Sequence, residues 1–263
     1  MTVAMMRMHL SMAVTIARYT LLEALRNRLL WLLIAAALGA VGLAGFLQEL
    51  ALTESHQLQA ALLGAVLRVA SVFLVATFVI TSMVREASDK GLELLLALPM
   101  PRAVYLTGKL AGFAILAVLP ALLFGGLALA LAPPDQAALW AFSLLCECWI
   151  VAAFSLLCVL TLQQVLPALA AATAFYLMAR AIGALQLMKQ AGATADTLGQ
   201  HVLGGGIDLL GLLLPHLDRF TRSDWLVYHG GSGADLLTIL VQTALYVALT
   251  AGAGLFDLYR KQI

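Results

Sequence analysis

Residues 137–160 read AALWAFSLLCECWIVAAFSLLCVL, twenty-four residues interrupted by a single charge, Glu147. A helix rises about 1.5 Å per residue, so this stretch covers the roughly 30 Å of a bilayer's hydrocarbon. Backbone groups must be satisfied internally at that depth, which makes a helix the expected form. Five further stretches share this character: Leu29–Leu47, Ala60–Val84, Leu110–Ala132, Val165–Met188 and Leu236–Phe256. The longest remaining piece, Lys189–Asp235, has 47 residues, below the ~50 of a small domain. The expectation is one all-α polytopic membrane domain over 1–263, with six transmembrane helices and no separate soluble catalytic unit.

Composition agrees. The 263 residues are 63% hydrophobic and 11% charged, with mean hydropathy +0.98. Soluble chains carry roughly 45–50% apolar and about 25% charged residues. So little polar surface cannot cover a core in water, which excludes a soluble enzyme and a nucleic-acid binder. A net charge of +1 gives no polyanion-binding signature. Cys146, Cys148 and Cys158 share one apolar run, and an odd number within lipid argues against a disulfide framework.

Lysine and arginine in the flanks set the expected orientation. With a cytoplasmic N-terminus, the inner pieces hold Arg7, Arg18, Arg26, Arg28, Arg85, Lys90, Arg102, Lys109, Arg260 and Lys261. The outer pieces hold only Lys189, Arg219 and Arg222. Both termini are then cytoplasmic, as in a multi-pass protein of the cell's inner (cytoplasmic) membrane. The first apolar run follows twenty-eight residues and exceeds the ~7–15-residue core of a signal peptide, so it is read as an uncleaved span. Before it, His9–Arg28 reads as an amphipathic interfacial helix. Ile16, Tyr19, Leu22 and Leu25 are spaced for one face, with Arg18, Glu23, Arg26 and Arg28 suited to the headgroups. An unstructured basic tail is the alternative.

The connection between spans two and three runs from Arg85 to Arg102. Its charged start, Glu86, Asp89, Lys90 and Glu93, gives way to a leucine-rich stretch ended by Pro99 and Pro101. Proline lacks the amide donor a helix needs, so a short helix over roughly Ser88–Leu98 is expected. It would expose the four charges to the cytoplasm; a solvated connector is the bland alternative.

On these residues the chain resembles the integral membrane subunits of ABC-2 type ABC transporters. That family shows an acid, a short charged stretch, Gly-Thr-Leu-Glu-Leu-Leu, a proline, an arginine and a Gly-Lys opening the third span. Glu86, Gly91, Glu93, Leu94, Leu95, Pro99, Arg102, Gly108 and Lys109 match it; the threonine is absent, Leu92 following Gly91 directly. Residues 17–28 look like the family's interfacial helix, and Pro215–Phe220 like its external segment. The resemblance implies a permease subunit, an exporter in the simplest case, that forms a homodimer in the lipid bilayer. It further implies a coupling helix, made by Glu86, Asp89, Lys90, Gly91, Glu93, Leu94, Leu95, Pro99 and Arg102, that is received by a separate ABC ATPase subunit. A phosphate loop requires Gly-x-x-x-x-Gly-Lys-Ser/Thr, whereas Lys109 is followed by Leu110. No cofactor is therefore expected in this chain, ATP and magnesium belonging to the partner ATPase. Two other classes stay open: a non-transporting scaffold of an assembly complex, and a secondary transporter with Glu147 as its proton-coupling acid.

Arg68, Glu147 and Arg180 fall inside expected spans, at a cost of about 2.5–3.5 kcal/mol each on insertion scales, and such groups are normally paired or turned inward. From the rise per residue they lie roughly 12, 15 and 12 Å below the outer boundary. Glu147 is expected to pair with at least one arginine; separate snorkelling of both is the alternative. Cys146 and Cys148 point about 200° apart on a helix, so no metal site is expected of them. In the outer segment, Val202–Leu214 is too short to span and reads as an interfacial or re-entrant element. Trp225 and Tyr228 suit the outer headgroup layer, and His216-x-Asp218 is a weak metal motif. The resemblance suggests that this segment caps the outer end of a translocation path.

Overall fold

The protein is described by a computed structural model covering residues 2–27, 29–50, 55–89, 101–191 and 198–260. Among these residues the chain is helical and contains no strand. Helix α1 spans Thr2–Arg26, α2 Leu29–Leu50, α3 Ser55–Ser88, α4 Arg102–Leu116 and α5 Val118–Ala128. Helix α6 spans Pro134–Leu162, α7 Val165–Ala191, α8 Leu198–Leu213, α9 Ser223–Val227 and α10 Gly233–Arg260, with a 3₁₀ turn at Leu217–Arg219.

Five helical segments are long and apolar enough to cross a membrane: Gln57–Ser88, Arg102–Ala128, Pro134–Leu162, Val165–Lys189 and Gly233–Arg260. The expected first span is α2. It meets α1 at a bend of 55°, and Arg7–Arg26 with Trp31–Phe46 make a broken apolar pair that brings the number to six. Helices run past the apolar stretches because backbone hydrogen bonding continues into the polar flanks until a turn residue stops it. The third span departs most from the expected 110–132. It begins at Arg102, directly after Pro101, and its helix ends at Ala128 ahead of Pro133. It also breaks at Ala117, three residues before Pro120, whose missing N–H leaves the carbonyl of Leu116 without its i+4 donor.

Helix α6 is the axis of the bundle. Proline at its first position, Asp135 in its first turn and left-handed Gln163 (φ 56°) at its end define it. Of its most apolar window 72% is buried, against 17% for α10, so α6 is the centre and α10 the rim. Helices α3, α5, α7 and α10 pack around it. Gly125 sits against Ala141, where an added Cβ would fall 2.5 Å from the alanine methyl.

Helix α1 runs along α4 in the same direction. Gly108 lies over Ala13 and Ile16, and Gly112 over Ala17 and Thr20; a Cβ on either would come within 3.0 Å of a neighbour. This Gly-x-x-x-Gly pair lets two backbones approach as small residues do between membrane helices. The face of α1 that packs is therefore Ala13, Ile16, Ala17, Thr20 and Ala24, while Tyr19, Leu22 and Leu25 are exposed. Of the expected apolar face, Tyr19, Leu22 and Leu25 point outward, whereas Ile16 packs under Gly108.

Candidate functional site

Two polar clusters sit at opposite ends of the bundle. The first lies where the 89–101 connection leaves α3 and enters α4. Glu86, in the last turn of α3, forms an ion pair with Lys109 on α4, their side chains being only 16% and 7% exposed. The Tyr105 hydroxyl donates to Glu86 Oε1 at 3.2 Å. One turn deeper, Ser82 Oγ donates to Glu23 Oε2 on α1 at 2.9 Å. The Arg102 guanidinium donates to the carbonyls of Leu258 and Tyr259 at 2.6 and 3.4 Å and stands over the Tyr259 ring. A cation there meets the negative end of α10, where the last carbonyls lack helical donors.

This placement corrects two expectations. Glu86 does not face outward: its position on the inner side of α3 brings it to Lys109. Glu23 is likewise half-buried against Ser82 rather than in the headgroup set, while Arg18 and Arg26 are exposed. Arg102 reaches along the bundle to the end of α10. Asp89 is exposed. Lys90, Gly91, Glu93, Leu94, Leu95 and Pro99, the short helix expected over Ser88–Leu98 beyond Asp89, and Arg28 lie outside the described residues.

The second cluster forms where the segment between α7 and α10 folds into the bundle. Helix α8 returns along α7, tied by Lys189 to Asp208 at 2.5 Å, with Gly204 under Lys189 and Gly211 under Gln186. The 3₁₀ turn follows beside α7, and the chain then reaches Thr221. Helix α9 leads back along α3 and α6, and Gln136 holds Gly231 through both halves of its amide.

Thr221 is the hub of this cluster. Its hydroxyl donates to Glu147 Oε2 at 2.5 Å, its N–H to Ser143 Oγ at 2.9 Å, and its carbonyl accepts from Arg68 Nη1 at 3.0 Å. Its φ is 41°, a left-handed conformation that a β-branched residue adopts only when its surroundings hold it there. Arg180 Nη1 lies 3.5 Å from Glu147 Oε1, a Coulombic contact longer than a good hydrogen bond. The same nitrogen donates to the carbonyls of Leu217 and Phe220 at 2.5 and 2.9 Å. The structure thus brings Arg180 directly to Glu147, which is fully buried, and joins Arg68 to them through the Thr221 carbonyl. Neither arginine extends alone to the headgroups. Arg68 Nε and the Tyr176 hydroxyl are buried here without hydrogen-bond partners among the described residues.

Thr221, Ser143, Tyr105 and Ser82 escaped the reading of the sequence. Ser143 and Glu147 stand four residues apart and so share one helical face, a signal that the buried acid faced a polar partner. Trp225 is a correction: it is buried beside Gly231 rather than placed at the headgroups, whereas Tyr228 is exposed. His216 Nδ1 and Asp218 Oδ1 are 3.7 Å apart. Among the described residues no three metal-ligating side chains converge, and all three cysteines are free.

No curated protein sequence matches the chain. Residues 46–198, more than half of it, match the model of the family described as ABC-2 family transporter protein. That match takes in α3, both ends of the 89–101 connection, and the helices that carry Arg68, Glu147 and Arg180. With its long apolar helices, the chain is a multi-pass membrane protein that belongs to the ABC-2 transporter family.

Proposed function

We propose that the chain is one transmembrane permease domain whose substrate movement, outward, is driven by a separate ABC ATPase. The ATPase docks on the connection between Glu86 and Arg102, and two permease copies form the path. The observation that carries this reading is the family match across that connection. ATP and magnesium are bound by the partner. In the topology expected from the sequence, ten lysines and arginines fall in the flanks on the connection's side against three on the other, which supports a cytoplasmic docking face and cytoplasmic termini in an inner membrane.

Glu86 is spent on Lys109, so the docking contacts fall to Asp89, Lys90 and Glu93 and to the apolar groups of Leu94 and Leu95. Burying a leucine contributes about 1.5–3 kcal/mol, whereas an exposed charge pair contributes about 0–1 kcal/mol. Packing therefore sets the affinity and charge the register. Helix α1 runs along the first part of the third span, with Tyr19, Leu22 and Leu25 facing away from the bundle toward lipid.

At the outer end the re-entrant segment 198–231 closes the path, latched at Thr221. Glu147 accepts from Thr221 and faces Arg180, an arrangement that ties the outer segment to the centre of the bundle.

The test is to purify the tagged chain from its native membrane in mild detergent and assay vanadate-sensitive ATP hydrolysis. A stoichiometric subunit bearing a phosphate loop, with hydrolysis in the eluate, is the expected result. A chain that purifies alone and shows no hydrolysis when returned to vesicles overturns it.

A further inference from the structure

We infer that the Glu86–Lys109 pair is a positioning clamp that makes the two roots of the 89–101 connection a single rigid body; this rests on the reading that the ATPase docks there. A push delivered to a connection between two separate helices could simply splay them. Here the last turn of α3 and the second turn of α4 are locked by an ion pair shielded from water on both sides, with Tyr105 donating to the same carboxylate.

The lock extends to two more helices. Ser82 on α3 holds Glu23 on α1, and α1 lies against α4 through Gly108 and Gly112, immediately beside Lys109. Arg102, the first residue of α4, holds the final carbonyls of α10. Four helices thus form a collar around the point where the connection emerges. Glu147, Arg180 and Thr221 at the far end lie outside it, on α6, α7 and the segment before α9.

A shielded ion pair is an uneconomical source of stability, since replacing both partners by neutral groups of similar volume is often neutral for the fold, while removing one is strongly destabilising. Its value here is geometric. Lys109 on α4 can meet Glu86 on α3 in one relative setting of the helices, and that setting fixes how the connection is presented.

The experiment uses the complex with its ATPase in lipid nanodiscs, with spin labels at the exposed positions Ser88 and Thr107. The wild type is expected to give one narrow distance that stays the same with and without ATP and vanadate. The isosteric double variant Glu86→Gln/Lys109→Met is expected to keep its folded yield but to widen that distribution at least twofold. The charge swap Glu86→Lys/Lys109→Glu is expected to narrow it again. A narrow distance in the double variant, or a wild-type distance that moves with nucleotide, overturns the clamp. Loss of the ATPase from the wild-type complex counts instead against the docking reading, and the two failures are told apart by the subunits present.

Discussion

Replacing Thr221 by valine removes one hydroxyl and leaves the shape of the side chain nearly unchanged. The backbone bonds of Thr221 to Ser143 and Arg68 remain. What is lost is the bond to Glu147 Oε2 and the long contact at 3.5 Å from Arg180 Nη1. Hydrogen bonds between neutral side chains in membrane proteins average only about 0.6 kcal/mol, but one to a charged group contributes about 1.5–3 kcal/mol. Glu147 is fully buried, so no water replaces the lost donor and the larger figure applies. Thr221→Gly loses the same bond but also relieves the left-handed backbone at φ 41°, worth roughly 1–2 kcal/mol. Thr221→Ser keeps the donor. The expected order of stability is therefore wild type and serine, then glycine, then valine. For a domain of this size each kcal/mol moves the melting point by about 2–4 °C, which places valine some 3–12 °C below wild type. Heating the detergent-solubilised protein and measuring the surviving monodisperse fraction by size exclusion reads this directly. Valine within about 1 °C of wild type, or glycine less stable than valine, would show that Thr221 does not hold the outer segment as described.

Reversing the second pair, Glu147→Arg with Arg180→Glu, should recover little of what Arg180→Glu loses. A glutamate cannot donate to the carbonyls of Leu217 and Phe220, each worth about 1–3 kcal/mol if left unpaired; full recovery of folded yield would mean the Coulombic contact alone matters. Gly112→Ile should detach α1 from α4, since its side chain would enter the space of Thr20 and Ala17. Oxidative cross-linking between cysteines placed at Ala13 and Thr107 should then fall severalfold against the parent, and undiminished cross-linking would contradict the close approach.

The spans were legible because lipid demands long apolar helices, and runs such as 137–160 have few other solutions. Their ends were less so: Arg102 and Lys109 are charged yet helical, since a polar flank does not stop a helix while Pro101 and Pro133 do. That Glu147 pairs with at least one of Arg68 and Arg180 was expected from depth along the helices, a one-dimensional argument that suffices within a bilayer; that the partner is Arg180 came from the structure. Thr221 was not expected, because its role depends on how far a loop folds back. Nothing local marks a threonine that spends its N–H and hydroxyl on α6 and its carbonyl on α3. The inward turn of Glu86 was hidden for a similar reason. A charged stretch at a membrane surface reads as solvated until the tertiary structure supplies Lys109. The Gly108–Gly112 spacing was readable as a close-packing motif, but its partner face on α1 consists of small residues that apolar periodicity does not single out.

The central claim is that an ATPase engages this permease at the connection between α3 and α4. A photoactivatable phenylalanine analogue at Leu95, compared with the same probe at the exposed Tyr228 of the opposite end, tests it most directly in native membranes. The account predicts a cross-link from position 95 to a subunit carrying a phosphate loop, and none to that subunit from position 228. A nucleotide-binding subunit captured from position 228, or from neither, would contradict it.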